Sequence, residues 1–363
     1  MPRPIQALIH TDAIEHNLKR VQAIRPNARL WAVVKANAYG HGIERVFNAF
    51  RGADGFALLD LAEAQRVRDL GWRGPILLLE GVFEPRDLEI CSRLGLSHAI
   101  HCSEQIDWLA AHKTTTPHYV FLKMNPGMNR LGFAPQSYRS AWSRLNSLPQ
   151  VGEIGLMMHF SDADGPIGIA HQLQIFNDTT ADLPGEHCLC NSAASFAHPE
   201  APSDWCRPGI ALYGASFDYP AHTASDWGLK PAMTLQSQII GVQQLQAGDT
   251  VGYGSTFTAK ENMRIGVVAC GYADGYPRAV PSGTPVLIEG KRTGTVGRIS
   301  MDMMAVDISA IEQANMGSTV TLWGNGLGGS LLSIDEVAQA AGTIAHELMT
   351  ALAPRVPVKI QED

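Results

Sequence analysis

The chain has 363 residues, 45% of them hydrophobic, enough to bury a core and to build one large domain beside a smaller one. Its 28 Lys plus Arg against 35 Asp plus Glu give a formal charge of -7 with no basic block. That argues against a nucleic-acid backbone or an anionic membrane surface as main partner and leaves small ligands.

The N-terminus, MPRPIQALIHTDAIEHN, turns polar too soon for a signal peptide, and no apolar run approaches the roughly 20 residues that span a bilayer. A cytoplasmic protein is expected. From about residue 11 to 215, short segments rich in Val, Ile, Leu and Phe alternate with longer ones of helical period, the rhythm of βα units and a parallel sheet. The strand candidates are WAVVKA (31–36), GFALLD (55–60), PILLLEG (75–81), SHAIHC (97–102), HYVFLKMN (118–125), IGLMMHF (154–160), HCLCNS (187–192) and GIALYG (209–214). Eight such strands predict a closed (β/α)8 TIM-type barrel. The alternative, an open doubly wound sheet, lacks its G-x-G-x-x-G after the first strand. Helical patterns such as LAEAQRVRDLG and PRDLEICSRLG end in glycine, as helix stops do.

After about residue 225 the pattern becomes all-β: MTLQSQIIGVQQL, DTVGYGSTF, RIGVVACGY, TPVLIEGKRTGTVGRISM, MMAVDIS and STVTLWG, separated by Gly, Asp, Asn and Pro. The expected division is therefore a barrel over 1–225 and a mainly β C-terminal domain over 226–363. A last helical stretch, SIDEVAQAAGTIAHELMTAL, opens with a capping box from Ser333 to Glu336. Six scattered cysteines (Cys91, Cys102, Cys188, Cys190, Cys206, Cys270) fit reduced thiols. The C-x-C at Cys188 and Cys190 reads as core packing, since no second Cys/His pair completes a metal set, and no metal is expected.

In a (β/α)8 barrel, chemistry sits at the C-terminal strand ends, where the βα loops converge. The unusual polar residues fall there: Lys35 closes the first strand, Lys123 the fifth and His159 the sixth. Asn191 and Ser192 close the seventh, and Arg207 precedes the eighth. Each alone reads as an ordinary solvated strand-end residue; several together point to a site. A lysine leaving an apolar strand is partly desolvated, which lowers its pKa and suits it to a Schiff base with an aldehyde. A phosphate on that aldehyde would find hydroxyl and backbone N–H donors at Ser192 and the Arg-Pro-Gly-Ile turn of 207–210.

The blocks VVKANAYGHG, KMNPGMNRLGF, MMHFSDAD, CNSAASF, RPGIALYG, VGYGSTF, GYADGYPR and VGRISMDMMAVD run in order across nearly the whole chain. Together they resemble the alanine racemase family. The resemblance implies a pyridoxal 5′-phosphate enzyme with a barrel and a C-terminal β domain, working as a head-to-tail homodimer on L- and D-alanine. It implies that Lys35 carries the cofactor through a Schiff base and acts as one base, with Tyr253 from the partner subunit as the other. Inverting a stereocentre by proton removal needs a base on each face. It further implies Arg207 at the pyridine nitrogen, where a permanent cation disfavours ring protonation. His159 would link Tyr253 with Arg207. The phosphate would lie against Tyr39, Ser192 and the N–H groups of Gly209 and Ile210. Arg130 would bind the substrate carboxylate, oriented by a carbamylated Lys123, while Met301 and Asp302 complete the site across the dimer and Tyr272 narrows its entrance with Tyr253. One departure stands out: Pro354 occupies the position before Arg-Val-Pro where many members have a phosphate-contacting tyrosine.

Three other readings remain. A decarboxylase of the same cofactor and architecture should carry an acidic, cysteine-bearing C-terminal segment, where this chain has VGYGSTF and SMDMM. A non-catalytic cofactor carrier would not need Tyr253. A racemase of wider specificity differs only in entrance size, and both supply of D-alanine to cell-wall peptidoglycan and its degradation use the same reversible chemistry.

Overall fold

The computed structural model describes residues 3–361, and the chain divides into two units. The first strand, β1 (Gln6–Ile9), belongs to the second of them. The first unit holds Glu15–Ala38 and Gly42–Leu212. Its strands are β2 (Arg29–Val33), β3 (Gly55–Leu58), β4 (Ile76–Leu78), β5 (Ser97–Ile100), β6 (His118–Lys123), β7 (Val151–Met157), β8 (His187–Cys188) and β9 (Trp205–Cys206). They pair in parallel in the order β8-β7-β6-β5-β4-β3-β2-β9. The Arg207 N–H donates to the Cys190 carbonyl at 2.7 Å and draws the two ends together, so the sheet closes as a barrel.

The short strands β3, β4, β5 and β9 are buried from end to end. Trp31 stacks on Trp205 with ring centroids 4.0 Å apart, sealing the β2–β9 seam. Between strands, Asp60 caps the helix Leu61–Asp69 by accepting from the Ala62 N–H at 2.6 Å. The helix Asp87–Leu94 stops at Gly95, whose φ of 58° is the left-handed conformation the sequence pattern called for.

The eighth strand differs from expectation. It is Trp205–Cys206, while Ile210–Tyr213 within the expected 209–214 forms a 3-10 turn. The reason is where the N–H groups go. Pro208 has none, those of Gly209 and Ala211 donate to the Ser192 hydroxyl, and that of Leu212 bonds back to Gly209, so no ladder can run there. Arg207 consequently follows the eighth strand instead of preceding it.

Two buried histidines stand side by side at β5 and β6, His98 Nε2 lying 3.2 Å from His118 Nδ1. Burial holds His98 down to about 3, with His118 and His112 adding repulsion. His118 is likewise pushed down by burial, to about 4. Because their folded pKa values lie below the ordinary 6.5, the unfolded chain binds protons first, and stability is lost as pH falls from about 6.5 towards 3. At pH 5 the loss at His98 amounts to roughly 2 kcal/mol. Thermal melts between pH 7 and 5 should show the decline, and His98→Gln should flatten it.

The second unit takes in the chain through Ile14, Tyr39–His41 and the chain from Tyr213 onward. It therefore includes residues 3–14 and 213–225, which the sequence rhythm assigned to the barrel. The cause is pairing: β1 runs antiparallel to β10 (Met233–Leu245) and parallel to β19 (Val358–Ile360). The other strands are β11 (Thr250–Val251), β12 (Phe257–Thr258), β13 (Met263–Val268), β14 (Pro285–Ile288), β15 (Lys291–Val296), β16 (Met304–Asp307), β17 (Thr319–Asn325) and β18 (Leu331–Leu332). A ring β17-β14-β15-β16-β13-β10 closes because β10 pairs with β13 over one half and with β17 over the other. An irregularity between Ile239 and Gly241 turns the strand from one partner to the next.

The last helical stretch is two helices, Ile334–Ala340 and Ala345–Thr350, interrupted around Gly342 at φ 71°. Ser333 caps the first by accepting from the Asp335 N–H at 3.1 Å, but the expected box with Glu336 is not formed. Glu336 instead pairs with Arg292 of β15. A tertiary ion pair has replaced the local one.

Candidate active site

Lys35 stands just past β2, where the sequence rhythm had it closing the strand. After Val34, whose N–H still donates to the Ala57 carbonyl at 2.8 Å, the backbone enters a left-handed turn. Ala36, Asn37, Ala38 and Tyr39 have φ of 53°, 54°, 55° and 51°. Such a run costs of order 1–2 kcal/mol per residue. It is held by local bonds: Ala38 N–H to the Val34 carbonyl at 2.8 Å and Gly42 N–H to the Asn37 carbonyl at 2.9 Å. Asn37 also donates its N–H to Glu63 at 2.6 Å and accepts from Arg66 at 2.8 Å through its side chain. No glycine marks this turn in the sequence before Gly40, so its handedness is a tertiary product.

The Lys35 amine is held below its ordinary value by burial and by Arg130, with Glu80 opposing. Lys123, the last residue of β6, is pushed down to about 8 by burial, then by Arg207 and Arg130. His159, two residues beyond β7, is held well below 6.5 by burial and by Arg207, Lys123, Arg130 and Lys35. These mutual repulsions place five of the expected residues in one electropositive cluster over the strand ends. The carboxylate acting on both lysines is Glu80, two residues past β4. Sequence reading passed it over, although it carries the same signal as Lys35, a charge at the end of an apolar strand.

Arg130 is presented by a loop that leaves β6 and returns. Asn125 N–H donates to the Phe133 carbonyl at 2.9 Å and Phe133 N–H to the Lys123 carbonyl at 2.8 Å, closing its base. Within it the Asn125 side chain accepts from the Gly127 and Asn129 N–H groups at 3.3 and 2.8 Å. Gly132 has φ 123°, and a Cβ there would lie 2.7 Å from the Met124 carbonyl carbon, so only glycine fits. Arg130 itself is exposed, and no hydrogen bond or ion pair holds it among the described residues.

Arg207 is buried and pinned. Its Nη2 donates to the Met158 carbonyl at 2.7 Å and approaches His159 Nδ1 at 3.3 Å, and its Nη1 donates to the Cys188 carbonyl and to Cys188 Sγ. The Cys188 contact gives part of the C-x-C pair a second role beside packing. Ser192 Oγ accepts from the Gly209 N–H at 2.9 Å and the Ala211 N–H at 3.3 Å, so the hydroxyl and the 209–211 turn converge. Asn191 caps the helix Ser192–Ala197 by accepting from the Ala194 N–H at 2.9 Å. Buried Arg25 ties the far side of that segment through the Ala194, Ser195 and Ala201 carbonyls.

The remaining expected residues lie in the β unit. Tyr39 is buried, stacks on Tyr213 at 4.5 Å, and has its hydroxyl pushed well up by burial. Tyr253 is 72% exposed at the tip of the β11–β12 hairpin, in a 3-10 turn between Gly252 and Gly254, both at φ 75°. Tyr272, Met301 and Met303 are also exposed. They are neighbours: Tyr272 N–H donates to the Ser300 carbonyl at 3.0 Å and Ala273 N–H to the Met301 carbonyl at 2.9 Å. Asp302 pairs with Arg3 and Arg355.

Comparisons with known proteins place the chain in a family. Residues 9–217 match the alanine racemase N-terminal domain and residues 232–360 its C-terminal domain. An alanine racemase of Acidovorax ebreus is 68% identical over the full length of both chains. The structure of the biosynthetic alanine racemase from Pseudomonas aeruginosa is 44% identical, covers 99% of this chain and 100% of that one, and superposes with a TM-score of 0.94. That of the Acinetobacter baumannii alanine racemase, 38% identical over 99% and 100%, gives 0.93. With both domains matched in order and a relative this close along its whole length, the chain belongs to the alanine racemase family.

Proposed function

We propose that the protein interconverts L-alanine and D-alanine using pyridoxal 5′-phosphate, with Lys35 and Tyr253 as the two bases. The observation that carries this reading is the electropositive cluster around a pKa-lowered Lys35. Such a cluster, with Glu80 its opposing carboxylate, calls for anions, and a phosphate with an amino-acid carboxylate supplies them. The residues fit the cofactor: an amine able to be neutral, a hydroxyl beside the 209–211 turn, and a pinned guanidinium. When bound, pyridoxal 5′-phosphate supplies an electron sink that acidifies the α-proton of an attached amino acid.

The chain's own groups do the rest. Ser192 with the N–H groups of Gly209 and Ile210 holds the phosphate, joined by Tyr39. Arg130 takes the substrate carboxylate through its two-pronged guanidinium. Arg207, fixed to carbonyls on one side, keeps a permanent positive charge at the pyridine nitrogen and so restrains side reactions. Lys35 moves a proton at its Nζ on one face. Tyr253, from the hairpin tip of a second copy of the chain in a head-to-tail dimer, moves one at its hydroxyl on the other. His159 connects that hydroxyl to Arg207. Its depressed pKa keeps the imidazole neutral, so it can accept as well as donate. Lys123, with its amine at about 8, presents enough neutral amine to add carbon dioxide, and the resulting anion orients Arg130. Met301 and Asp302 of the second copy finish the site across the dimer, and Tyr272 narrows the way in. Pro354 removes a phosphate contact without touching either base.

The free cysteines fit a reducing, cytoplasmic setting, and no helix among the described residues is long and apolar enough to cross a membrane. The test is proton NMR of the holoenzyme with L-alanine in heavy water, followed by chiral analysis. Exchange of the α-proton with D-alanine rising to near parity is expected. Exchange without D-alanine would remove Tyr253 from its role, and no exchange would favour another substrate or a carrier.

A further inference from the structure

Asp274 and Asp302 are gripped by the same two arginines, which come from opposite ends of the chain. Arg3 Nη2 donates to Asp274 Oδ2 at 3.0 Å and to the Asp302 carbonyl at 2.7 Å, and its Nη1 reaches Asp302 Oδ1 at 3.4 Å. Arg355 Nε donates to Asp274 Oδ1 at 2.8 Å and its Nη2 to Asp302 Oδ1 at 2.7 Å. The Asp274 side chain is fully buried, whereas that of Asp302 is 40% exposed. Asp274 also accepts from the Gly271 N–H at 2.9 Å, and its carbonyl accepts from the Ala353 N–H at 3.1 Å. Four segments thus meet at one knot: the N-terminal arm, the Tyr272 turn, the Met301–Asp302 loop and the chain before Val356.

We infer that Arg3 and Arg355 are positioning residues for substrate binding: they fix the Met301–Asp302 loop and offset the Asp302 charge, so that an amino-acid carboxylate can approach it. The inference rests on Asp302 belonging to the substrate site. A half-exposed, uncompensated carboxylate there would repel the substrate's own. Two guanidiniums on its oxygen remove that repulsion and leave Arg130 as the attracting group. The fork of Arg355 spans two carboxylates at once, a geometry a single ammonium cannot copy. Arg3 does something different, holding the Asp302 backbone carbonyl and so the path of the loop.

The experiment compares steady-state racemisation of L-alanine by holoenzyme carrying Arg3→Gln, Arg355→Gln, Asp302→Ala, and Arg355→Gln combined with Asp302→Asn. Each arginine variant is expected to raise KM about fivefold while kcat stays within about twofold, the scale of a partly exposed ion pair. Adding Asp302→Asn to Arg355→Gln should lower KM at least about twofold relative to Arg355→Gln alone, because the charge needing an offset is gone. A purely structural knot would show lowered melting temperature and no such rescue, which would overturn the inference. If Asp302→Ala shifts KM but both arginine variants leave it unchanged, the inference fails alone; if Asp302→Ala leaves KM unchanged, the placement of Asp302 fails instead. Asp274 keeps one arginine in either single variant, so at least one should remain folded, as circular dichroism will verify.

Discussion

Tyr253→Phe is expected to keep its cofactor and lose racemisation by about 10²–10⁴-fold, the usual contribution of a positioned base. The substitution removes one oxygen from a side chain that is 72% exposed, so folding energetics have little to lose. What it removes is the proposed proton acceptor on one face. Lys35 still serves its own face, so one enantiomer should go on exchanging its α-proton in heavy water without inverting. Cofactor absorbance and exchange of each enantiomer, measured separately, distinguish this from loss of binding. Turnover within about fivefold of the parent would remove Tyr253 from the mechanism.

Lys35→Ala should have the larger effect, because it removes the proposed attachment point and base together. Racemisation is expected to fall by more than about 10⁴-fold. Borohydride reduction followed by peptide mass mapping should find a pyridoxyl adduct on Lys35 in the parent and none on the variant. Lys123 is the informative competitor. It lies in the same electropositive cluster with its amine at about 8, so an adduct there in the parent would relocate the anchor. The left-handed turn after Lys35 is stabilised by Asn37 and its partners and not by the lysine itself, so the variant should retain the fold.

Much of the β unit was legible because its strands obey local rules. MTLQSQIIGVQQL is a strand over its whole length, Met233–Leu245, and STVTLWG nearly so. The seven barrel strands that were correctly located are apolar runs bounded by polar turns, a signal that needs no partner to be read. The eighth was misplaced because GIALYG has the same composition, yet its N–H groups are taken by Ser192, seventeen residues away for Gly209. Composition cannot report a hydroxyl that arrives from elsewhere. The missing capping box at Ser333 has the same origin, since Arg292 claims Glu336.

For the site, the sequence by itself determined which side chains are present and, through the family blocks, which roles to expect of them. Strand-end placement of Lys35, Lys123 and His159 followed from period alone. The tertiary structure decided what those residues feel: a lowered amine at Lys35 arises from burial and Arg130, a residue ninety-five positions away, and Glu80 enters only through proximity. It also decided that Arg3 and Arg355 share two carboxylates. Charge and desolvation act through space, so they are set by how the chain closes on itself and leave no local mark in the order of its residues.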